Sequence, residues 1–267
     1  MLEEYPGGVK VKDGGEMLPL HLAIQNRATE AVVLEILSAY PEAASITEPQ
    51  DEKLPLHYAC EMIASDGVVS ALLAVNFLAA RALTKHGNLP MHAAAERDTS
   101  PFVMNALLMA HPEAPRIRAN NGCLPLHRAA KMQAPDAVVS TLLEAYSQGA
   151  SVTDVRGSLP LHWAVGKHQS FGVVSALLAA FPESIKLADN DGNLPLHIAV
   201  EYEAADEVVG MLISKHKAGV RQFNALRKLP SDLAREHSAS QYVLYELQLA
   251  DKEARDSEVG ILAWLWG

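Results

Sequence analysis

The chain has 267 residues, of which 49% are apolar and 20% charged, and its formal net charge is −10. This composition is typical of a chain that folds around a core, and it excludes the disordered, collagen-like and low-complexity classes. Two cysteines exclude a disulfide-framed secreted scaffold of this size, and the acidic charge argues against general affinity for nucleic acid or an anionic membrane. Because no secretory signal and no apolar stretch of ~20 residues is present, we expect a soluble intracellular protein, cytoplasmic or nuclear, without membrane insertion.

One short motif recurs along the chain. The tetrapeptide Leu-Pro-Leu-His, once as Leu-Pro-Met-His and once as Leu-Pro-Ser-Asp, begins at seven leucines spaced by 36 residues once and by 35 thereafter. An alanine stands five residues after each leucine and a valine fourteen residues after it. The sequence therefore predicts one structural unit copied seven times. The repeats start at Leu18, Leu54, Leu89, Leu124, Leu159, Leu194 and Leu229.

Residues 1–17 precede the first leucine and match the end of a repeat, so the chain is predicted to open inside a second helix. A repeat stack that lacks a polar cap exposes apolar surface. We therefore expect self-association through the surface near Leu22, Ile24 and Val33, with the alternative that residues 1–17 fold over it.

Residues 18–258 form the seven predicted repeats. Each Leu-Pro indicates a helix start, because proline suits the first helical position and pushes the preceding leucine into an extended conformation. This first helix is expected to run roughly nine residues, as from Pro195 to Glu203. A polar break, a second helix with apolar residues at helical spacing, and a turn that often contains Gly follow it. The fold class is all-α.

The C-terminal end departs from the pattern. The seventh copy has Asp232 in place of histidine, and Gln248 and Asp251 replace apolar or aromatic residues, which is typical of a terminal cap. Residues 259–267 form an apolar tail that is predicted either to fold back on the last repeat or to insert into a partner.

The seven copies resemble the ankyrin repeat, whose signature is Thr-Pro-Leu-His-x-Ala at a period of 33 residues. This chain has leucine in place of the threonine in all seven copies and a period of 35. The resemblance implies a solenoid of helix-turn-helix repeats with projecting turns, and loss of the threonine hydroxyl places the hydrogen bonding of the motif histidines in question. These histidines are His21, His57, His92, His127, His162 and His197.

Metal and catalytic sites are not predicted. The six motif histidines are one repeat apart, and helix axes ~8–10 Å apart cannot bring successive rings to one ion. The segment Asp189–Asn193 has its glycine in the wrong place for a calcium loop, and no nucleophile elbow or phosphate loop appears. Cys60 is expected in the core, and Cys123 is expected in a turn, where it is a candidate free thiol. We predict no enzymatic activity and no cofactor.

The resemblance implies a partner-binding face made of the projecting turns and the first helices. Its positions vary in chemistry between copies, which indicates recognition, with surface drift as the alternative. The turn positions are Met17, Lys53, Asn88, Cys123, Ser158 and Asn193. The helix positions are Asn26, Met62, Arg97, Met132, Lys167 and Tyr202. Tyr58 and Trp163 are expected to pack between repeats, with exposed anchors for a partner as the alternative.

The middle of the chain is basic. Residues 84–168 contain 8 Lys and Arg against 6 Asp and Glu, while the flanking segments are acidic. A basic groove would attract an acidic peptide or helix. The alternative is a solvated face on which Glu96 and Asp98 balance the charge. The basic residues concerned are Lys85, Arg97, Arg128, Lys131, Arg156 and Lys167.

The sequence thus predicts a non-catalytic scaffold or adaptor that binds another protein on the concave face of its repeats. Two alternatives stay open. In the first alternative, the chain is the ankyrin segment of a larger signalling enzyme. In the second, it is a structural subunit of a larger assembly.

Overall fold

The computed structural model describes the backbone of residues 7–266 and the side chains of residues 7–256. Throughout this described part the regular structure is helical, without strands, which confirms the all-α prediction. The chain divides into two compact units, Met1–Gly149 and Ala150–Gly267. The predicted first-helix and second-helix pattern appears in each unit.

The first unit has four helix pairs. First helices pack on first helices and second helices pack on second helices, so that two rows of helices form within the unit. The bounds are α1 Pro19–Gln25, α2 Glu30–Ala39, α3 Pro55–Glu61, α4 Asp66–Val75, α5 Pro90–Ala95, α6 Pro101–Ala110, α7 Pro125–Lys131 and α8 Asp136–Ala145. Short 3-10 turns lie at Gly8–Lys10, Pro41–Ser45, Phe77–Arg81, Ala114–Arg116 and Ser147–Ser151, the last of which contains the unit boundary.

The second unit has three helix pairs with the same two-row packing. The bounds are α9 Pro160–Gly166, α10 Phe171–Ala180, α11 Pro195–Glu201, α12 Asp206–Lys215, α13 Pro230–Glu236 and α14 Gln241–Trp266. Its 3-10 turns lie at Pro182–Lys186 and Lys217–Arg221.

The first helices are shorter than the nine residues expected. Each starts at its proline after an extended leucine, as predicted, but it spans only six or seven residues. In six repeats the residue nine places after the leucine adopts a positive φ of 54–58°, as Ile63 and Glu203 do, and this turns the chain out of the helix. In the third repeat the hydroxyl of Thr99 donates to the carbonyl of Ala94 at 2.8 Å and closes the turn instead.

Serine caps link neighbouring second helices. The hydroxyl of Ser100 accepts from the backbone N–H of Val103 at 3.2 Å and donates to the carboxylate of Asp66 in the preceding repeat at 2.5 Å. Ser240 does the same with Val243 and Asp206 in the second unit. One serine side chain thereby caps a backbone N–H at a helix N-terminus and also links two neighbouring repeats.

The expected exposure of the first repeat is wrong for two of its three residues. Ile24 and Val33 are each only 2% exposed, while Leu22 is partly exposed. The 3-10 turn Gly8–Lys10 packs on α1 and buries Val9, so residues 7–17 cover part of this end of the stack. The surface on which the predicted self-association depended is therefore largely buried.

The last repeat keeps the motif geometry without its histidine. The carboxylate of Asp232 accepts from the backbone N–H of Leu229 at 2.9 Å, as the histidine ring does in other repeats. Gln248 is exposed, and Asp251 forms an ion pair with Arg255 at 2.6 Å, as suits a terminal repeat. Helix α14 continues to Trp266, but the side chains of the predicted apolar tail 259–267 lie outside the described residues.

Candidate functional site

A cleft lined by described residues lies in the second unit. It has a volume of about 490 Å³ and is formed by the projecting turns and first helices of repeats five to seven. Trp163, Ile198, Tyr202 and Leu226 supply apolar surface. The charged lining residues are Arg156, Lys167, Asp189, Asp191, Glu201 and Lys228. A cleft that combines aromatic surface with a few charged groups is a typical binding site.

Polar side chains inside the projecting turns fix the tips of the cleft. Asp154 Oδ1 accepts from the backbone N–H groups of Arg156 and Ser158 at 2.8 and 3.0 Å. Asp189 and Asn224 hold the next two turns in the same way. Three equivalent turns thus present Arg156, Asp191 and Leu226 as a row of tips, and the side chain of Leu226 is 76% exposed.

The motif histidines hold the first helices and the turns together. His162 Nδ1 accepts from the backbone N–H of Leu159 at 3.1 Å, so its Nε2 carries the proton and donates to the carbonyl of Asn193 at 3.1 Å. His197 repeats this with Leu194 and Gln222. The question raised by the missing threonine is thereby answered, because backbone groups fix the ring.

The same histidine geometry occurs in the first unit at His57 and His92. Burial lowers the pKa of both His57 and His92 to about 4, and it lowers the pKa of His162 and His197 as well. His21 differs, since neither ring nitrogen has a partner at hydrogen-bond distance. These rings are neutral structural groups at pH 7.

Gly166 packs closely against the next first helix. It ends α9 and is buried, and a Cβ atom there would lie 2.8 Å from Ile198 Cγ2. The equivalent position in every other repeat carries a long polar side chain: Gln25, Glu61, Glu96, Lys131, Glu201 and Glu236. Glycine at residue 166 therefore lets the Ile198 side chain approach the backbone of α9 beside the cleft.

Aromatic groups border the cleft. Trp163 donates from Nε1 to Asp154 Oδ2 at 3.0 Å, which fixes the indole against its own turn. Tyr202 is 48% exposed, and Lys167 Nζ lies 5.7 Å from the centre of its ring. The Trp163 side chain is partly buried, and it also lines the cleft, so its packing between repeats stays a prediction.

Glu201 is partly buried in the cleft. Within the described residues its carboxylate has no ion pair or hydrogen bond, in contrast to the glutamates at the same repeat position elsewhere. Lys53 pairs with Glu61 at 2.9 Å, and Arg128 pairs with Glu96 at 2.6 Å. Lys228 pairs with Glu236.

The structure brings five of the predicted contact residues to the cleft: Arg156, Ser158, Lys167, Asn193 and Tyr202. Others lie on the equivalent face of the first unit, where Asn26, Arg97 and Met132 are exposed and Met17, Lys53, Met62 and Asn88 are partly exposed.

Two residues that were predicted to contact a partner are buried, so the prediction is wrong in their exposure. Cys123 is 4% exposed and Ser158 is 6% exposed, because these short side chains end below the surface that the longer residues at this position reach. Cys123 forms no disulfide and Cys60 is buried as expected, with burial raising the pKa of its thiol.

The predicted basic groove is weakened by pairing within the chain. Arg128 is held by Glu96 and also donates to Asn88 Oδ1 at 3.1 Å, and Lys85 Nζ donates to the carbonyl of Gln50 at 2.9 Å. Arg97 is exposed in the first unit, and Arg156 and Lys167 line the cleft of the second. The pairing of Arg128 with Glu96 agrees with the alternative of local balance.

Sequence reasoning missed Asp191, Glu201 and Leu226. A partial signal was present, since residue 166 is glycine where the other repeats carry a long polar side chain, and residue 193 is asparagine where the second and seventh repeats carry lysine. Only the fold shows that both residues line the same cleft.

Among the described side chains, no three His, Cys, Asp or Glu residues come together to hold an ion. Over the same part of the chain, no helix has the length and apolarity to cross a bilayer.

Residues 136–224 match the family model for ankyrin repeats in three copies. Among solved structures, the chain is similar to the ankyrin repeat domain of Bcl-3, described as a unique member of the IkappaB protein family. The TM-score is 0.64 at 24% sequence identity, and the alignment covers 89% of this chain and 100% of that domain. Among curated proteins, no sequence match was found.

Proposed function

We propose that this chain, whose residues 136–224 match the family model for ankyrin repeats, is an ankyrin-repeat protein that acts without catalysis as a scaffold or adaptor. It would hold a partner protein in the cleft of its second unit. Ankyrin repeats are in general protein-interaction modules. The observation that carries the proposal is the cleft itself, in which Tyr202 and Leu226 present apolar surface beside charged groups. Partly exposed aromatic and large apolar residues at the centre of a concave surface are typical anchors of protein recognition.

The repeat frame supports this assignment. The residues that build the repeats are nearly the same in all copies, whereas the lining residues of the cleft differ from their equivalents in the first unit. Rigid turns hold the tips in place, so little conformational entropy is lost when a partner binds.

A photo-crosslinking experiment tests the proposal. The photoreactive amino acid p-benzoylphenylalanine replaces Leu226, and in a matched control it replaces Met109, which is 80% exposed on α6 of the first unit. In cells that naturally express the protein, residue 226 is expected to crosslink a defined protein that residue 109 does not, and Tyr202→Ala should abolish the product. No product at residue 226, or the same products at both positions, would contradict the proposal.

An acidic peptide is a second candidate for the occupant. Arg156 is exposed at the tip of its turn, and within the described residues no carboxylate lies within ion-pair distance of it. This supports the partner predicted from the basic middle of the chain. Arg156→Glu would then weaken binding, and the loss would shrink at high salt because screening removes the electrostatic contribution.

A further inference from the structure

One glutamate at a repeated position lacks the cation that pairs with the equivalent glutamates in other repeats. Four repeats carry glutamate seven residues after the leucine, and in three of them the chain itself supplies a partner. The cation comes either from the residue before the leucine of the same repeat, as Lys53 and Lys228 do, or from the next first helix, as Arg128 does.

Both sources are missing for Glu201. The residue before its leucine is Asn193, whose amide oxygen accepts from Asn224 Nδ2 at 2.9 Å. The residue in the next helix that corresponds to Arg128 is Leu233, which is buried. A partly buried carboxylate that has no cation partner attracts one.

Resting on the proposed function, we propose that Glu201 and Tyr202 receive an arginine side chain of the partner protein. Glu201, the Tyr202 ring and the Trp163 indole all line the same cleft. A guanidinium group can bond a carboxylate through two N–H groups while its plane stacks on an aromatic ring, which an ammonium group cannot do. Leu226 then covers an apolar residue of the partner near the arginine.

Lys167 supports this reading of the site. Its ammonium group already lies over the Tyr202 ring at 5.7 Å, which shows that the ring attracts a cation. It does not come within ion-pair distance of Glu201. The Glu201 carboxylate is therefore available to an arginine of the partner. The positive charge of Lys167 repels that arginine and competes with it for the Tyr202 ring.

The test begins with selection of binders. A phage-display library of random dodecapeptides is selected on the full chain, and the enriched peptides are synthesised and measured by fluorescence anisotropy. We expect one arginine in common among them. Its replacement by citrulline, which keeps the shape without the charge, should weaken binding roughly 10- to 100-fold, and its replacement by lysine should weaken it less.

Variants of the protein locate the arginine. Glu201→Gln should weaken binding roughly as much as citrulline does, while Glu61→Gln, the same change in the first unit, should leave binding unchanged. Lys167→Gln should strengthen binding roughly two- to threefold, because a competing cation is removed. Thermal melts followed by circular dichroism confirm that each variant is folded.

The outcomes separate this inference from the proposed function. Peptides that lack arginine, or that bind Glu201→Gln as well as wild type, overturn the arginine site but leave the cleft as a protein-binding site if Tyr202→Ala abolishes their binding. Acidic peptides weakened by Lys167→Gln also overturn it. Absence of any enriched peptide, or binding that Tyr202→Ala does not affect, contradicts the proposed function itself.

Discussion

The face made of projecting turns and first helices differs between the two units although both follow one repeat frame. In the first unit the glutamates Glu61 and Glu96 are neutralised by Lys53 and Arg128. In the second unit the equivalent region is an open cleft in which Glu201 stands without a cation. The difference teaches that a change of a few side chains alters the charge pairing on this face within one repeat frame.

Acid should destabilise both units through the features they share. The pKa values of the buried histidines are lower in the folded chain than in the unfolded chain, where they are near 6.5, and they are about 4 for His57 and His92. The unfolded state therefore binds more protons than the folded state below pH 6.5, so the free energy of unfolding falls as the pH drops towards 4. Each histidine whose pKa is shifted to about 4 accounts for a loss of roughly 3 kcal/mol over this range. Urea unfolding between pH 7 and 5 measures this before most carboxylates titrate. A constant unfolding free energy over that range would contradict the role given to the histidines.

Removing one motif histidine should lower the free energy of unfolding by a similar amount in the two units. His92→Ala in the first unit and His162→Ala in the second each remove two ring hydrogen bonds and leave a cavity, so we expect a loss of about 2–4 kcal/mol. His21→Ala is the matched control, because that ring makes no hydrogen bond, and should cost less. Equal losses at all three positions, measured by urea unfolding, would show that packing alone explains the motif.

One substitution should make the second unit resemble the first. Asn193→Lys places a lysine where Lys53 pairs with Glu61, so the new side chain should pair with Glu201 and close the cleft. Binding of the selected peptides should fall by about tenfold, because the carboxylate is no longer available. The control Asn193→Gln lacks the charge and should weaken binding less. If both variants bind alike, the charge of residue 193 is irrelevant to the difference between the units.

The serine caps should matter equally and modestly in both units. Ser100→Ala and Ser240→Ala each remove a helix cap and a hydrogen bond to a carboxylate of the preceding repeat, at a cost of about 1 kcal/mol. Neither serine lines the cleft of the second unit, so peptide affinity should not change. Thermal melts and anisotropy titrations provide the two readouts, and a cap variant that weakens peptide binding would show that the cleft depends on the second helices.

The fold was predictable from the sequence because its determinants are local and repeated. Each Leu-Pro marks a helix start, and the histidine three residues after the leucine bonds the backbone of that start. The end of the first helix was misjudged because residues such as Ile63 and Glu203 adopt a positive φ, which their chemistry does not favour and the turn imposes.

The cleft was only partly predictable because it depends on relations between repeats. Tyr202 and Lys167 followed from their repeat position, but the burial of Cys123 and Ser158 depends on how far a neighbouring side chain reaches. The sequence alone does not mark Glu201, because only the ion pairs of Glu61, Glu96 and Glu236 in the structure show that its carboxylate lacks a cation.

A reciprocal charge exchange tests the central claim most directly. The affinity of a selected peptide is measured for wild type and Glu201→Arg, each with the original peptide and with a peptide whose arginine is replaced by glutamate. The account predicts that either change alone weakens binding at least tenfold and that the two together restore most of the affinity, with the coupling reduced at high salt. Losses that simply add, without restoration in the double exchange, would contradict a direct contact between Glu201 and the arginine of the partner.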